Sequence, residues 1–373
     1  MGDGEPEVLF LAGRLEGRDE LRSLRALADR LGRLGWTARV LCLAAAPDHG
    51  LARLVECPAL ARRWRLPWAA RALDLSGPAD RPRVLHVLGL GMAPAGLEIA
   101  ERWRLPYLLT VDEFPRRDAR IRLSRAWCRG LVATNGELAA ALTRDFGVPA
   151  PSIRVIPRGI VGPDRPASPL ASGRVPVVGA AGPLAPGSGF ATFLQAARRV
   201  VDAGVDAEFL IAGEGEDELE LRRRADRLRI ADRLTFADDL SASLTFWDVL
   251  DVYCQTSIVP TTGRALALAL AHGVPSIATD VEGLRGLVGD RPPGGQIPRG
   301  DPAALALAIV GLIAHPGEAR ALGEAGRVAV LDDHHPDREA GRLVDLYRVA
   351  ALAQDSEPAS LPLGPVGDAS RGF

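Results

Sequence analysis

Short apolar, β-branched runs alternate along this chain with longer stretches whose apolar residues recur at helical spacing. The clearest helical stretch is residues 19–34, between two strand-like runs. The strand-like runs lie at residues 8–11, 38–43, 83–88, 107–111, 130–134, 153–157 and 175–181, and the alternation continues to about residue 314. Alternation of this kind predicts parallel sheets covered by helices on both faces.

The length of the chain predicts two such domains. A chain of 373 residues exceeds the usual size of a single domain. Residues 164–174 (DRPASPLASGR) are rich in Pro and Ser, as interdomain linkers often are. We therefore predict two doubly wound, Rossmann-like domains facing a central cleft, at residues 1–163 and 175–336. A closing helix at 337–353 and a disordered tail at 354–373 complete the predicted organisation.

Composition narrows the possible partners and chemistry. The 45 basic and 47 acidic residues give a net charge of −2, which argues against a nucleic-acid binder. All the basic residues are arginine, so a Schiff base or a lysine–phosphate contact is excluded. The four cysteines lack metal-ligand spacing, and no segment approaches the roughly 20 apolar residues of a membrane span. We expect a cytoplasmic protein without a metal or a bound cofactor.

A glycine-rich loop is the first candidate for ligand contact. Residues 179–189 place four glycines and two prolines between a strand and a helix. Gly182, Gly187 and Gly189 would let backbone N–H groups approach a phosphate at the start of that helix. The alternative is a plain strand-to-helix turn, since one glycine-rich loop is weak evidence.

Two later turns are further candidates. Gly213 and Gly215 flank one residue after a strand, where a tight turn suits contact with a base or ribose. Thr262, Gly263 and Arg264 lead into an apolar helix and would offer a hydroxyl, backbone N–H groups and a guanidinium to a distal phosphate. The alternatives are a simple turn for the first and a solvated arginine for the second.

In order and spacing, these segments resemble the C-terminal domain of family 4 (group 1) retaining glycosyltransferases. The resemblance is carried by PVVGAAGPLAPGSGFATFLQAA, FLIAGEGEDELELRRRA and LDVYCQTSIVPTTGRALALALAHGVPSIATDVEGL. It implies the GT-B fold, a nucleotide-sugar donor, a glycan, lipid-linked or small-molecule acceptor, and no catalytic metal.

The charged residues that the resemblance implies are replaced in this chain. The family's GRL-x-P-E-K-G segment uses an Arg and a Lys to hold the donor diphosphate, and the matching positions are Pro183 and Ser188. The family's two glutamates in E-x(7)-E match Pro260 and Leu268. Neither side chain accepts a hydrogen bond from a sugar hydroxyl. Leu268 also continues the apolar pattern of its helix.

The N-terminal half shows the same partial resemblance. His86 ends a strand of V-x-H type, and we expect it to be a hydrogen-bonded wall residue. The family's T-x-H-D segment appears as Thr110 to Glu113, so Asp112 and Glu113 are weak candidates for acid/base groups. The alternative is a solvated salt-bridge cluster with the arginines at 116 and 117. Arg158 stands where V-I-P-N-G has asparagine, and we assign it to the donor-binding group.

Three functions follow from these observations. The first is transfer of a sugar from a nucleotide-sugar, with Arg158, Arg264, Asp112 or Glu113 replacing the family's charged groups. The second is a catalytically silent homologue that binds a nucleotide, a glycan or a partner glycosyltransferase. The third is a structural subunit without nucleotide binding. Family resemblance favours the first, and the replaced residues favour the second.

One basic segment bears on membrane contact. Residues 61–73 (ARRWRLPWAARAL) combine four arginines with two tryptophans, which suits peripheral contact with an anionic inner-membrane face. Pro67 interrupts the helix, however, so a solvated face with partly buried tryptophans is the alternative.

Overall fold

A computed structural model describes residues 6–15, 18–47, 50–61, 81–237, 244–288 and 294–352. The chain forms two compact units. The first unit comprises Met1–Gly159 with Pro336–Phe373, and the second comprises Ile160–His335. The predicted linker, residues 164–174, lies within the second unit. The predicted membrane-contact segment at 61–73 and the predicted disordered tail fall outside the described residues, apart from Ala61.

The first unit contains a parallel sheet, which has seven strands among the described residues, in the order β3-β2-β1-β4-β5-β6-β7. The strands are β1 (Glu7–Leu15), β2 (Thr37–Ala45), β3 (Leu54–Glu56), β4 (Val84–Leu88), β5 (Tyr107–Val111), β6 (Cys128–Ala133) and β7 (Ile153–Val155). The described helices of this unit are α1 (Arg18–Arg33), α2 (Ala93–Trp103), α3 (Gly136–Phe146) and α10 (Pro336–Leu352).

Alternate residues of β1 explain why this sheet is covered on both faces. Leu9 and Leu11 belong to the core cluster that includes α2 and α3 residues. Val8 and Phe10 belong to the cluster that includes α1 and α10 residues. Successive strand residues point to opposite faces, so a continuous apolar run is what a strand buried on both faces requires.

The second unit contains a parallel sheet with strand order β10-β9-β8-β11-β12-β13 in its described part. The strands are β8 (Val177–Ala181), β9 (Glu208–Ala212), β10 (Leu234–Ala237), β11 (Val252–Gln255), β12 (Ser276–Thr279) and β13 (Gly295–Ile297). The described helices are α4 (Phe190–Asp202), α5 (Glu218–Arg227), α6 (Leu244–Val249), α7 (Arg264–Ala271), α8 (Pro302–Ala314) and α9 (Pro316–Asp333).

The strand orders confirm the predicted doubly wound α/β fold. In each sheet the winding reverses once, between β1 and β4 in the first unit and between β8 and β11 in the second. Ligands of doubly wound sheets bind beyond the carboxyl ends of the strands at such a reversal. The two reversals therefore fix where the candidate sites of each unit lie.

A buried carboxylate explains why residues 164–174 belong to the second unit. Asp251 is fully buried just before β11. It accepts hydrogen bonds from the backbone N–H of Leu170, from that of Val177 at 2.8 Å, and from Arg174 Nη2 at 2.6 Å. Pro- and Ser-rich composition predicted a linker, but these contacts hold the segment against the sheet.

We expect Asp251→Ala to lower the free energy of unfolding of the second unit by about 3 kcal/mol, because it leaves buried N–H donors without an acceptor. Asp202→Ala is the matched control, since it removes a half-exposed carboxylate that pairs with Arg198 along α4. That variant should cost less than about 0.5 kcal/mol. Urea denaturation measures both, and equal losses would contradict the anchoring role.

Candidate functional site

The glycine turns of the second unit lie in direct contact with neighbouring backbone at the winding reversal. A Cβ on Gly213 would lie 1.9 Å from the carbonyl oxygen of Gly182. A Cβ on Gly189 would lie 1.7 Å from the carbonyl oxygen of Thr256, and Gly189 has a φ of +79°. Only glycine fits at these two positions. The loops after β8, β9 and β11 therefore form one backbone-lined surface.

Hydrogen bonds fix the glycine-rich loop between its neighbours. Gly182 N–H donates to the carbonyl of Ala212 at 3.0 Å, and Leu184 N–H donates to that of Glu214 at 2.8 Å. On the other side, the carbonyl of Gly187 accepts from Ile258 N–H at 2.8 Å. The loop is thereby joined to the turn that contains Gly213 and Gly215 and to the segment that follows β11.

Two helices begin at this edge of the sheet from left-handed glycines. Gly189 precedes α4 and Gly263 precedes α7, with φ values of +79° and +72°, and neither helix has a side-chain cap. The first-turn N–H groups of a helix favour an anion. Thr262 and Arg264 flank Gly263 and are both half-buried. The structure therefore groups the predicted glycines with Thr262 and Arg264 along one sheet edge.

The four positions that the resemblance aligns with charged family residues take ordinary structural roles here. Pro183 and Pro260 are exposed, and Ser188 Oγ donates to the carbonyl of Pro183 at 2.6 Å. Leu268 is half-buried and packs against the core cluster that contains Leu266 and Leu270. The apolar character of α7 therefore serves packing, as its sequence pattern indicated.

A buried polar group at the end of β11 was not predicted from the sequence. Tyr253 Oη lies 2.7 Å from Gln255 Oε1, and Gln255 Nε2 donates to Ser257 Oγ at 2.8 Å. Thr279 Oγ1 donates to the carbonyl of Ser257 at 2.5 Å, and Thr256 Oγ1 donates to that of Ser188 at 3.1 Å. The sequence feature that could have predicted this group is the polar run Gln-Thr-Ser at the end of an apolar strand. These bonds fix the backbone that carries the loop after β11.

In the first unit, His86 is a hydrogen-bonded buried residue, as expected. Its side chain is 1% exposed, with Nδ1 2.6 Å from Tyr347 Oη and Nε2 2.7 Å from Thr110 Oγ1. Burial, aided by the charge of Arg158, lowers the pKa of His86 to about 3. The neutral ring therefore joins β4 to β5 and to α10.

Asp112 and Arg158 form an ion pair that local sequence patterns did not predict. Arg158 Nη1 lies 3.2 Å from Asp112 Oδ2, and both side chains are largely buried. Arg116, which was considered as a partner of Asp112, lies 3.6 Å from Asp118. Burial and the neighbouring Asp112 raise the pKa of Glu113. The two acid/base candidates thus lie in different surroundings, one paired with an arginine and one with a raised pKa.

Other chemistry is limited in the part of the chain that the structure describes. No group of three His, Cys, Asp or Glu side chains there has metal-site geometry. Cys42, Cys57, Cys128 and Cys254 are free and buried. Within the same residues, no single helix is long and apolar enough to cross a membrane.

Comparison with known proteins gives matches in both units. Residues 22–161 match the family model described as Glycosyltransferase Family 4, and residues 175–315 match that described as Glycosyl transferases group 1. A 2-deoxystreptamine glucosyltransferase of Streptomyces kanamyceticus is 27% identical over 79% of this chain and 81% of its own length. A phosphatidyl-myo-inositol mannosyltransferase of Mycobacterium leprae is 33% identical over 34% of each chain.

Solved structures share the fold over nearly the whole chain. A glycosyltransferase from Rickettsia africae superposes with a TM-score of 0.74 at 16% identity, covering 93% of this chain and 98% of its own. Anabaena HepE in complex with UDP and glucose has the same TM-score and identity, covering 91% of this chain and 98% of its own.

The buried His86 predicts a measurable pH dependence of stability. A histidine in the unfolded chain has a pKa near 6.5. Between that pH and about 3 the unfolded chain binds a proton that the folded protein does not, so stability falls as the pH falls. The loss should reach about 1.4 kcal/mol per pH unit.

Denaturation at pH 7, 6 and 5 tests this expectation. His86→Gln should remove that part of the pH dependence, whereas His315→Gln, at an exposed histidine, should keep the wild-type profile. Parallel profiles for the wild type and His86→Gln would contradict the assignment.

Proposed function

We propose that the second unit of this chain, which belongs to the GT-B glycosyltransferases, binds a nucleotide-sugar and that the first unit binds the acceptor. The chain is a nucleotide-sugar glycosyltransferase, and the observation that carries the proposal is the backbone-lined edge at the β8/β11 reversal. There two uncapped helix starts, three glycine turns and Arg264 lie along one sheet edge.

The donor diphosphate is the part of the substrate that this edge suits best. Backbone N–H groups at Gly187 and Gly189, just before α4, would contact one phosphate. Gly182 instead holds the loop in place, because its N–H donates to the carbonyl of Ala212. At the start of α7, Gly263 and Arg264 would contact the other, with the Thr262 hydroxyl beside them. A guanidinium holds phosphate oxygens through two parallel hydrogen bonds.

The nucleoside would lie against the turn after β9. Gly213 and Gly215 fix the position of that turn, because their missing side chains let it pack against the carbonyl oxygens of Gly182 and Leu184. HepE in the comparison structure binds UDP and glucose. For this chain we propose a nucleoside diphosphate sugar, whose base is identified by titration with different nucleotides.

The proposed transfer breaks the bond between the anomeric carbon and the diphosphate oxygen and forms a bond to an acceptor oxygen. Negative charge develops on the departing diphosphate, where the N–H groups and Arg264 would stabilise it. The acceptor hydroxyl loses its proton. Glu113, whose pKa is raised, and Asp112 are the carboxylates we propose for handling that proton.

A cyclitol is the acceptor class that the relatives favour. The Streptomyces relative acts on 2-deoxystreptamine and the Mycobacterium relative on phosphatidyl-myo-inositol, and both contain a six-membered carbon ring that bears hydroxyl groups. We propose that this chain glycosylates a ring of that kind. Its resemblance to retaining enzymes further implies that the product keeps the anomeric configuration of the donor.

Isothermal titration with nucleoside diphosphates and nucleotide-sugars tests the donor site. We expect Arg264→Ala to weaken the tightest-binding nucleotide by about 10- to 100-fold, because a charge-assisted contact with the diphosphate is lost.

The matched control for this titration is Arg199→Ala, at an exposed arginine in the last turn of α4, which runs away from the site. That variant should bind like the wild type. No heat from any nucleotide, or equal affinities in Arg264→Ala and the wild type, would overturn the proposed donor site.

A further inference from the structure

We propose that Thr134 and Asn135, at the carboxyl end of β6, bind ring hydroxyl groups of the acceptor directly. This inference rests on the function proposed above and deepens it, because it names the residues of the first unit that recognise the acceptor and the charge of the ring that they favour.

The first observation is that two consecutive residues each carry a buried polar atom without a hydrogen-bond partner. Thr134 is 8% exposed, and its Oγ1 is buried and unpaired. Asn135 Nδ2 is also buried and unpaired. Buried polar groups are ordinarily paired, since an unpaired one has lost its water without compensation. Two unpaired neighbours at a ligand-binding edge therefore indicate that a ligand completes their bonding.

The orientation of Asn135 is fixed by its other atom. Asn135 Oδ1 accepts a hydrogen bond from Leu138 N–H at 2.8 Å and so caps α3. Exchanging the amide oxygen and nitrogen would break that cap, so Nδ2 stays on the unpaired side as a donor. The side-chain oxygen of Asn135 therefore caps α3, and its amide Nδ2 is a separate donor that capping does not use.

The register of the sheet places these residues at the end of the strand that lies between the two strands preceding Asp112 and Arg158. Ala133, the last residue of β6, pairs with Val111 of β5 on one side and Val155 of β7 on the other. Asp112 follows the first of these strands, and Arg158 lies three residues after the second. Their 3.2 Å ion pair therefore joins the two loops that flank the end of β6.

Among the other described residues, Arg129 has buried side-chain nitrogens without a hydrogen-bond partner, and Glu7 Oε1, which lacks a hydrogen bond, lies 3.0 Å from Arg39 Nε in an ion pair. Glu7 is the first residue of β1, and Arg129 is the second residue of β6. Both lie at the amino ends of parallel strands, on the edge opposite to Thr134 and Asn135. The pair at the carboxyl edge is thus the one that coincides with the binding edge of this fold.

The chemistry of the group selects a neutral or amine-bearing polyol. A ring hydroxyl both donates and accepts, so one hydroxyl of a polyol can donate to Thr134 Oγ1 and another can accept from Asn135 Nδ2. A phosphate would bring negative charge to a place where Asp112 already neutralises Arg158 and Glu113 adds a second carboxyl group. Electrostatics therefore favour an uncharged ring or a ring that carries ammonium groups over a phosphorylated one.

Thr134→Val in the full-length protein tests the proposal, because it removes the hydroxyl and keeps the shape of the side chain. With myo-inositol and 2-deoxystreptamine as probes, we expect this variant to weaken acceptor binding in calorimetry, and to raise the acceptor KM, by about 5- to 100-fold. Nucleoside diphosphate affinity should not change. The melting temperature should be equal or higher, because the variant removes an unpaired buried group.

Two further variants separate recognition from structure. Thr143→Val is the matched control, since Thr143 is exposed on α3 and bonds the carbonyl of Ala139 within its own helix; it should bind acceptor like the wild type. Asn135→Ser keeps a capping oxygen and removes the amide donor. It should weaken acceptor binding with little loss of stability.

Direct binding keeps this proposal distinct from the proposed function. If the wild type transfers no sugar but binds a ring in a Thr134-dependent way, the proposed function fails and the acceptor site stands. Failure of both rings to bind the wild type, or equal binding by the wild type and Thr134→Val, would overturn the site. Thr134-dependent binding that is tighter for myo-inositol 1-phosphate than for either ring would overturn its assignment to an uncharged or cationic ring.

Discussion

Close backbone contact at the carboxyl ends of the second unit's strands is the constraint on which its candidate site depends. Gly182 and Gly213 belong to the loops after adjacent strands, and a single Cβ on Gly213 would reach within 1.9 Å of the carbonyl of Gly182. The N–H of each glycine donates to the carbonyl that ends the next strand outward, at Ala212 and Ala237, both at 3.0 Å. Backbone bonding therefore places the loops after β8 and β9 relative to each other.

The proposed nucleotide-sugar site therefore depends on backbone geometry and not on the charged residues that the resemblance implies. Backbone N–H groups and helix starts carry partial positive charge that does not depend on residue identity. Pro183 and Leu268 leave that frame intact, because one is exposed and the other packs into the core. The polar group under the loop after β11 then orients its backbone. In the proposed site, backbone N–H groups would supply most of the diphosphate contacts and Arg264 would supply the concentrated charge.

Hydrophobic periodicity predicted the fold well, because the apolar residues that each element buries recur at a regular spacing in a short stretch of sequence. The strand predicted at residues 107–111 is β5, and the helix predicted at 19–34 differs from α1 by one residue at each end. The short strand β3 was missed, since its three residues carry too little pattern. The predicted linker belongs to the second unit. Its composition could not show this, because the residue that holds it, Asp251, lies 81 positions after Leu170 in the chain.

Glycine spacing predicted the turns of the candidate site, but the sequence could not predict contacts between residues that are distant along the chain. The turns at Gly182 and Gly213 follow from strand–glycine–helix order. The ion pair of Asp112 with Arg158 joins residues 46 positions apart, and the unpaired atoms of Thr134 and Asn135 appear only when burial is known. Sequence pattern therefore predicted the residues of the proposed donor edge, whereas the proposed acceptor residues could be identified only from three-dimensional packing.

Mass spectrometry of reactions that combine a panel of nucleotide-sugars with cyclitol acceptors measures whether this chain transfers a sugar with the proposed site. We expect one preferred donor and an acceptor whose mass increases by a single hexose-type unit, with release of the nucleoside diphosphate. Saturable nucleotide binding without glycosylated product and without donor hydrolysis would contradict it, and would identify the chain as a binding protein built on a glycosyltransferase fold.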